Sequence, residues 1–166
     1  MNLVLFSACG RGNEEINKST STSDNLQNAN DASLVKDDVE ELGKIIKLPF
    51  EPEEVAWQDN NSNDNNGRNR VPAPNEKRIV AVLKFTSEDS NRLIIQAEKY
   101  APAKSAVIDA ENWFPVELIA QSQLSGDETL KGNFYAADDF FLEPFNKGKF
   151  THIANTNYFV LELTSF

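Results

Sequence analysis

The chain has 166 residues, 40% of them apolar and 25% charged, which is typical of one soluble globular domain with an appended tail. Its formal charge of −10 argues against a nucleic-acid partner, because phosphate binding needs clustered lysine and arginine. Cys9 and His152 are the only cysteine and histidine. An intrachain disulfide, a cysteine-based zinc site and a site built on several histidines are therefore excluded. We expect no metal and no cofactor.

The N-terminus, MNLVLFSACG, places a short apolar run before two small residues and a cysteine. The tetrapeptide Phe6-Ser7-Ala8-Cys9 resembles the lipobox of bacterial lipoprotein signal peptides. The resemblance implies that residues 1–9 are a signal remnant, that Cys9 is lipidated and that the protein is exported. By the same family rule, Gly10 implies an outer-membrane anchor facing the periplasm in a Gram-negative cell. The chain has no other apolar run that approaches a transmembrane helix in length.

Residues 10–32 contain Ile16 and Leu26 as their only large apolar side chains. A segment of this composition cannot bury enough apolar surface to offset the entropy of ordering it. We therefore predict a disordered tether that spans roughly 25–30 Å as a random coil. The folded part is predicted to be a single domain over residues 33–166.

The first predicted elements of the domain are a helix, a short strand and a long loop. Apolar residues recur at helical spacing from Leu34, and Pro49 ends the predicted helix. Residues 53–58 predict a strand with Val55 and Trp57 on one face. Residues 59–75 are rich in asparagine, which favours turns, and predict a mobile loop. The periodic apolar residues of the helix are Leu34, Val39, Leu42, Ile45 and Ile46.

The middle of the chain gives its clearest pattern, a strand followed closely by a helix. Arg78–Phe85 is apolar on both faces, as an interior strand should be. Ser87 is a good N-cap for the helix that follows, which ends before Pro102. Since few residues separate the two elements, we expect them to pack together. The residues expected at this contact are Val80, Val82 and Leu83 on the strand and Leu93, Ala97 and Tyr100 on the helix.

The remaining predicted elements are one strand, one helix and three further strands. Residues 105–109 predict a strand, and residues 113–123 a helix with Pro115 in its first turn. Further strands are predicted at residues 130–136, 149–154 and 158–164, the last two joined by a hairpin loop. The order α-β-β-α-β-α-β-β-β predicts an α+β fold, a mostly antiparallel sheet of about five to six strands with two to three helices packed on it.

Two groups of residues are candidates for contact with a ligand or partner. Asp138 and Asp139 lie beside two phenylalanines, where carboxylates can bind a cation or take part in acid–base chemistry. In the alternative, the phenylalanines are buried in a helical turn and the carboxylates are solvated or capping. Trp113 and Glu117 could form an aromatic platform with a polar group, or simply anchor the start of a helix. His152 in a strand has no partner that the sequence identifies.

Three classes of function remain open. The first is a lipid-anchored, non-enzymatic envelope protein that binds a protein, an envelope component or a small ligand, or that takes part in assembly. The second is an acidic inhibitor or immunity-type protein that neutralises a basic partner. From Ser33 onward the chain has 14 Lys and Arg against 22 Asp and Glu, a formal charge of −8. The third is a hydrolase that uses acidic residues.

Overall fold

The computed structural model describes residues 35–60 and 77–165. Within these ranges the elements follow the predicted order, with a 3-10 helix added between the fourth and fifth strands. The helices are α1 (Val39–Gly43), α2 (Ser87–Ala97), α3 (Val116–Ser125) and the 3-10 helix (Asp138–Phe140). The strands are β1 (Glu54–Asn60), β2 (Arg78–Lys84), β3 (Lys104–Asp109), β4 (Thr129–Ala136), β5 (Lys147–Ile153) and β6 (Tyr158–Thr164).

The described strands form one antiparallel sheet in the order β1-β2-β6-β5-β4-β3. The strands β2 and β6 are neighbours in the interior of the sheet, and their residues are mostly buried on both faces. This burial explains why both strands are rich in apolar residues without strict alternation. The α+β class and the antiparallel sheet predicted from the sequence are confirmed.

Helices cover both faces of the sheet, and each face has its own core. The front face is covered by α1, α2 and the 3-10 helix, and its core includes Trp57, Leu83, Leu93, Phe140, Phe150 and Phe159. The back face is covered by α3, and its core includes Val80, Val82, Phe114, Leu118, Ile153 and Val160. The larger front core contains most of the buried aromatic rings. The architecture is therefore three layers, helix, sheet and helix.

The expected packing of β2 on α2 is confirmed for three of its six residues and wrong for the other three. Leu83 lies in the front core with Leu93 and Ala97, as expected. Val80 and Val82 point to the back face and pack in the core beneath α3, because side chains alternate along a strand. Tyr100 lies in the turn after α2, which ends at Ala97, and is 58% exposed rather than buried.

The first helix is much shorter than predicted. Lys36 is extended, and its backbone exchanges two hydrogen bonds of 2.8 Å with Trp57 at the edge of β1. Asp38 then caps α1 by accepting a hydrogen bond from the Glu41 amide. Backbone bonding to the sheet therefore replaces the helix that the apolar spacing around Leu34 predicts. Leu42 and Ile46 are nevertheless buried.

Several other element boundaries also differ from the prediction. Thr86, not Ser87, is the N-cap of α2, and its hydroxyl accepts a hydrogen bond from the Asp89 amide. Pro115 is the N-cap of α3 rather than a residue of its first turn, so Trp113 precedes the helix. The strand β1 extends through Asn60, beyond the predicted start of the loop at residue 59.

The sheet has two ends, which we call basal and apical. At the basal end, β1 and β4 end at Asn60 and Ala136, and β2 and β5 begin at Arg78 and Lys147. The opposite end is the apical end. The predicted tether and most of the predicted asparagine-rich loop lie outside the described residues. No helix within 35–60 and 77–165 is long and apolar enough to cross a membrane.

Candidate functional site

An open groove of about 800 Å³ lies beside the front core, between three segments that are distant in sequence. The loop after α1 contributes one wall, α2 contributes a second, and the segment of the 3-10 helix closes the third side. The lining combines apolar side chains with polar and charged ones in similar measure. It consists of Gly43, Ile46, Lys47, Leu48, Pro49, Phe50, Arg92, Gln96, Asp139 and Leu142.

Asp139 is the acidic group of the groove and is held in place by two side chains. Its Oδ2 accepts a hydrogen bond of 2.8 Å from Nε2 of Gln96, and its Oδ1 accepts one of 3.0 Å from the Tyr100 hydroxyl. These bonds tie the 3-10 helix to the last turn of α2 and to the turn that follows it. A charged acceptor strengthens such bonds, so the carboxylate has a fixed position.

Arg92 is one of two basic residues that line the groove, with Lys47, and its guanidinium has two partners. Its guanidinium carbon lies 4.4 Å from the centroid of the Phe50 ring, within range of a cation–π interaction. Its Nη1 lies 2.8 Å from Oδ1 of Asp89, one helical turn earlier. The groove therefore presents a positioned cation, a positioned carboxylate and an apolar wall.

The contact between Tyr100 and Asp139 can be tested by titration. The hydrogen bond to Asp139 is the main cause that raises the pKa of Tyr100 above its usual value of 10.0. Asp139→Asn is expected to lower this pKa, and Asp138→Asn to lower it less because Asp138 acts only through its charge. Ultraviolet absorbance of the phenolate in single-tyrosine variants would measure both. A larger effect of Asp138→Asn would contradict the geometry.

The same contact has a consequence for stability at high pH. A group whose pKa is raised in the folded state contributes stability below its unfolded pKa and loses it as the pH rises through the folded pKa. For Tyr100 the window therefore begins near pH 10 and extends upward. The Tyr100 side chain is exposed, so solvent screening keeps the contribution small.

The structure does not bring the four candidate contact residues of the sequence together. Asp139 lines the groove, whereas Asp138 is exposed at the start of the same 3-10 helix. Phe140 beside them is fully buried, as the alternative interpretation of this segment predicts. Trp113 packs against the back core with its ring 4.8 Å from that of Phe114, and Glu117 is exposed in the first turn of α3.

His152 is held within its own hairpin. Its Nε2 lies 2.8 Å from the carbonyl oxygen of Thr156, which can only accept, so Nε2 donates the hydrogen bond. The ring also lies 4.8 Å from the Phe159 ring in the front core. Both contacts give His152 a structural position near the end of β5, beside the turn that leads to β6.

The sequence prediction included Asp139 but missed the rest of the groove. Phe50, Arg92 and Gln96 belong to segments separated by about forty residues, and no local pattern relates them. Within residues 35–60 and 77–165, no group of three or more His, Cys, Asp or Glu could hold a metal ion. Cys9 lies outside the described residues. Searches of protein-family models, of curated proteins and of solved structures find no match to the chain.

Proposed function

We propose that this chain is a lipid-anchored bacterial envelope protein whose folded domain has a binding or assembly role. The proposed cellular location rests on Phe6-Ser7-Ala8-Cys9 and on the polar segment that follows it. Anchoring through a lipid on Cys9, in the outer membrane and facing the periplasm, belongs to the same proposal. The binding role rests on the groove between the loop after α1, α2 and the 3-10 helix.

The composition of the groove favours a protein segment as its occupant. Leu48, Phe50 and Leu142 supply apolar surface, and an interface core usually combines apolar surface with a few placed polar groups. Arg92 can donate to a peptide carbonyl, and Asp139 can accept from a peptide amide or a basic side chain. An extended peptide offers apolar side chains together with both kinds of backbone group.

The polar side chains support binding over hydrolysis. A hydrolase using acidic residues needs two carboxylates that converge on one reacting position. Asp139 is half-buried and accepts from Gln96 and Tyr100, while its neighbour Asp138 is exposed. The two carboxylates therefore do not converge on one position. Their contacts favour a structural role, which is to hold the 3-10 helix against α2.

The charge of the apical end favours the second candidate, an acidic inhibitor of a basic partner. Loops at this end concentrate carboxylates, and such a surface accelerates association with a basic protein. The acidic residues at this end are Glu51, Glu53, Glu54, Glu88, Asp89, Asp109, Glu111, Asp127 and Glu128. In this candidate the partner contacts the apical end and leaves the groove empty.

Site-specific photo-crosslinking in cells tests the proposal. A photoreactive side chain at Leu142 in the groove is expected to give a discrete protein adduct. The same group at Val116, which is exposed on the back face, serves as the matched control. Arg92→Glu in the Leu142 variant is expected to reduce the adduct, because it reverses the charge that lies over Phe50.

Fatty-acid labelling of the same cells tests the anchor. Wild type is expected to incorporate the label and Cys9→Ser to lose it entirely, because only the thiol can form the thioether. Label that is equal in the two proteins would overturn the lipid anchor. Equal adducts at Leu142 and Val116 would overturn the groove, and adducts confined to the apical loops would favour the inhibitor.

A further inference from the structure

The two edges of the sheet differ in what lies beside them. At the outer edge of β1, Lys36 exchanges two backbone hydrogen bonds with Trp57, so the chain itself occupies that edge. The other edge strand is β3. Among residues 35–60 and 77–165, none pairs with the outer side of β3. The described part of the fold therefore leaves this edge of the sheet without a neighbouring strand.

The hydrogen bonds of β3 show which of its backbone groups point outward. The Ala110 amide donates to the carbonyl oxygen of Glu128, just before β4, at 3.0 Å. Residues that bond toward one neighbour alternate with residues that bond away from it, so Val107 and Ser105 direct their N–H and C=O groups away from β4. In agreement, the carbonyl oxygen of Lys131, which lies opposite Val107, accepts a hydrogen bond from the β5 side.

The side chains of this edge are accessible as well. Val107 is 62% exposed, and Ser105 beside it is also exposed. Ile108 points to the back face, so Val107 and Ser105 lie on the front face. The charged residues of β3 are its first and its last, so neither blocks the middle of the strand. An accessible edge with outward backbone groups is a template for another strand.

We propose that the outer edge of β3 pairs antiparallel with β3 of a second copy of this chain, around a twofold axis at Val107. The dimer joins the two six-stranded sheets into one continuous sheet. Val107 then exchanges both of its backbone hydrogen bonds with Val107 of the second copy, and the two exposed side chains cover each other. The pairing depends on neither the groove nor the lipid anchor.

Charge complementarity favours a second copy as the occupant of this edge. In the twofold register, Lys104 of one copy lies opposite Ala110 of the other, beside Glu111. Both charged residues are exposed, and neither forms an ion pair within the described part of the single subunit. The twofold axis repeats this contact, so the dimer brings two pairs of opposite charges together. A parallel alignment would instead place like charges side by side.

Sedimentation of the purified full chain, with Cys9→Ser to remove the thiol, tests the proposal. A monomer–dimer equilibrium that shifts with protein concentration is expected. Val107→Pro is expected to leave only monomer, because proline has no N–H to donate across the twofold axis. Since this N–H does not serve the β3–β4 ladder, the subunit should still fold. Val107→Thr retains the N–H and is the matched control, which is expected to dimerise.

Exchanging the two charges separates the local contact from the net charge of the molecule. Lys104→Glu and Glu111→Lys are each expected to weaken dimerisation by roughly threefold to tenfold, because each places like charges together twice per dimer. The two variants change the net charge in opposite directions, so a general charge effect would instead strengthen the dimer of Glu111→Lys. Lys104→Glu/Glu111→Lys is expected to restore dimerisation to within about twofold of the unmodified chain.

Several results would overturn the pairing. A chain that stays monomeric up to about 1 mM would do so. A dimer that Val107→Pro and both charge reversals leave unchanged would place the interface elsewhere. If Val107→Pro fails to fold, the exchange of charges decides alone. A monomeric chain that a photoreactive group at Val107 joins to a different protein would assign the edge to a strand of that protein. None of these results bears on the groove or the anchor, which the experiments at Leu142 and Cys9 test.

Discussion

Leu83→Ala is expected to lower the free energy of unfolding by about 2–5 kcal/mol, the range for removing a fully buried leucine side chain. Leu83 is fully buried in the front core. It pairs with Val55 on β1 and with Phe159 on β6, so the truncated side chain leaves a cavity between two strand neighbours and α2. Chemical denaturation of wild type and variant would measure the loss.

Leu124→Ala is the matched control for this experiment. Leu124 is 89% exposed near the end of α3, so the same substitution removes few contacts. Its effect should stay within about 0.5 kcal/mol, as for most surface substitutions. Similar losses for the two variants would mean that β2 is not an interior strand.

Gly132→Ala is expected to destabilise the domain by about 1–3 kcal/mol or more, although it adds a single methyl group. Gly132 lies in β4 between Ala106 of β3 and Ile153 of β5. A Cβ built at this position collides with the carbonyl oxygen of His152 on β5. Since backbone cannot move aside as a flexible side chain can, the β4–β5 ladder has to shift.

Gly43→Ala is the control that separates a collision from a general effect of replacing glycine. Gly43 is the last residue of α1, and a Cβ there makes only an ordinary contact of 3.7 Å with Leu48. Alanine should therefore raise stability by about 0.5–1 kcal/mol through its helix propensity. A Gly132→Ala variant as stable as wild type would contradict the tight β4–β5 approach. Thermal unfolding would rank all three proteins.

Patterns that depend on neighbouring residues predicted the strands correctly. The apolar run of Arg78–Phe85 predicted the interior strand β2, and the alternation after Tyr158 predicted the two faces of β6. Both patterns arise from burial that each strand experiences along its own length. For this reason the α+β class and the element order follow from the sequence.

Boundaries that depend on partners distant in sequence were predicted less well. Lys36 is extended because Trp57 supplies its backbone partner, and no residue near Lys36 indicates this. Tyr100 continues the helical spacing of the apolar residues before it, but its hydroxyl donates a hydrogen bond to Asp139 across the groove. Side chains alternate along β2, so Val82 and Leu83 lie in different cores. The sequence does not show that both faces of the sheet are covered by helices.

The candidate site was predictable only in part for the same reason. Asp139 could be chosen as a candidate from the sequence because two aspartates precede two phenylalanines there. Arg92 and Phe50 have no such local signal, because their relation arises only when α2 packs beside the loop after α1. Trp113 stood out for its aromatic neighbours, and these neighbours account for its packing in the back core.

The position of β6 inside the sheet determines when the fold can be completed during synthesis. β6 follows the other five described strands in sequence, yet it lies between β2 and β5 and joins the two halves of the sheet. Until Tyr158–Thr164 has been synthesised, β2 and β5 each expose an unpaired edge beside apolar surface, the kind of intermediate that aggregates. A chain that ended before Tyr158 would leave two half-sheets with no strand between them. The pairing of the sheet is therefore complete only after β6 has been translated.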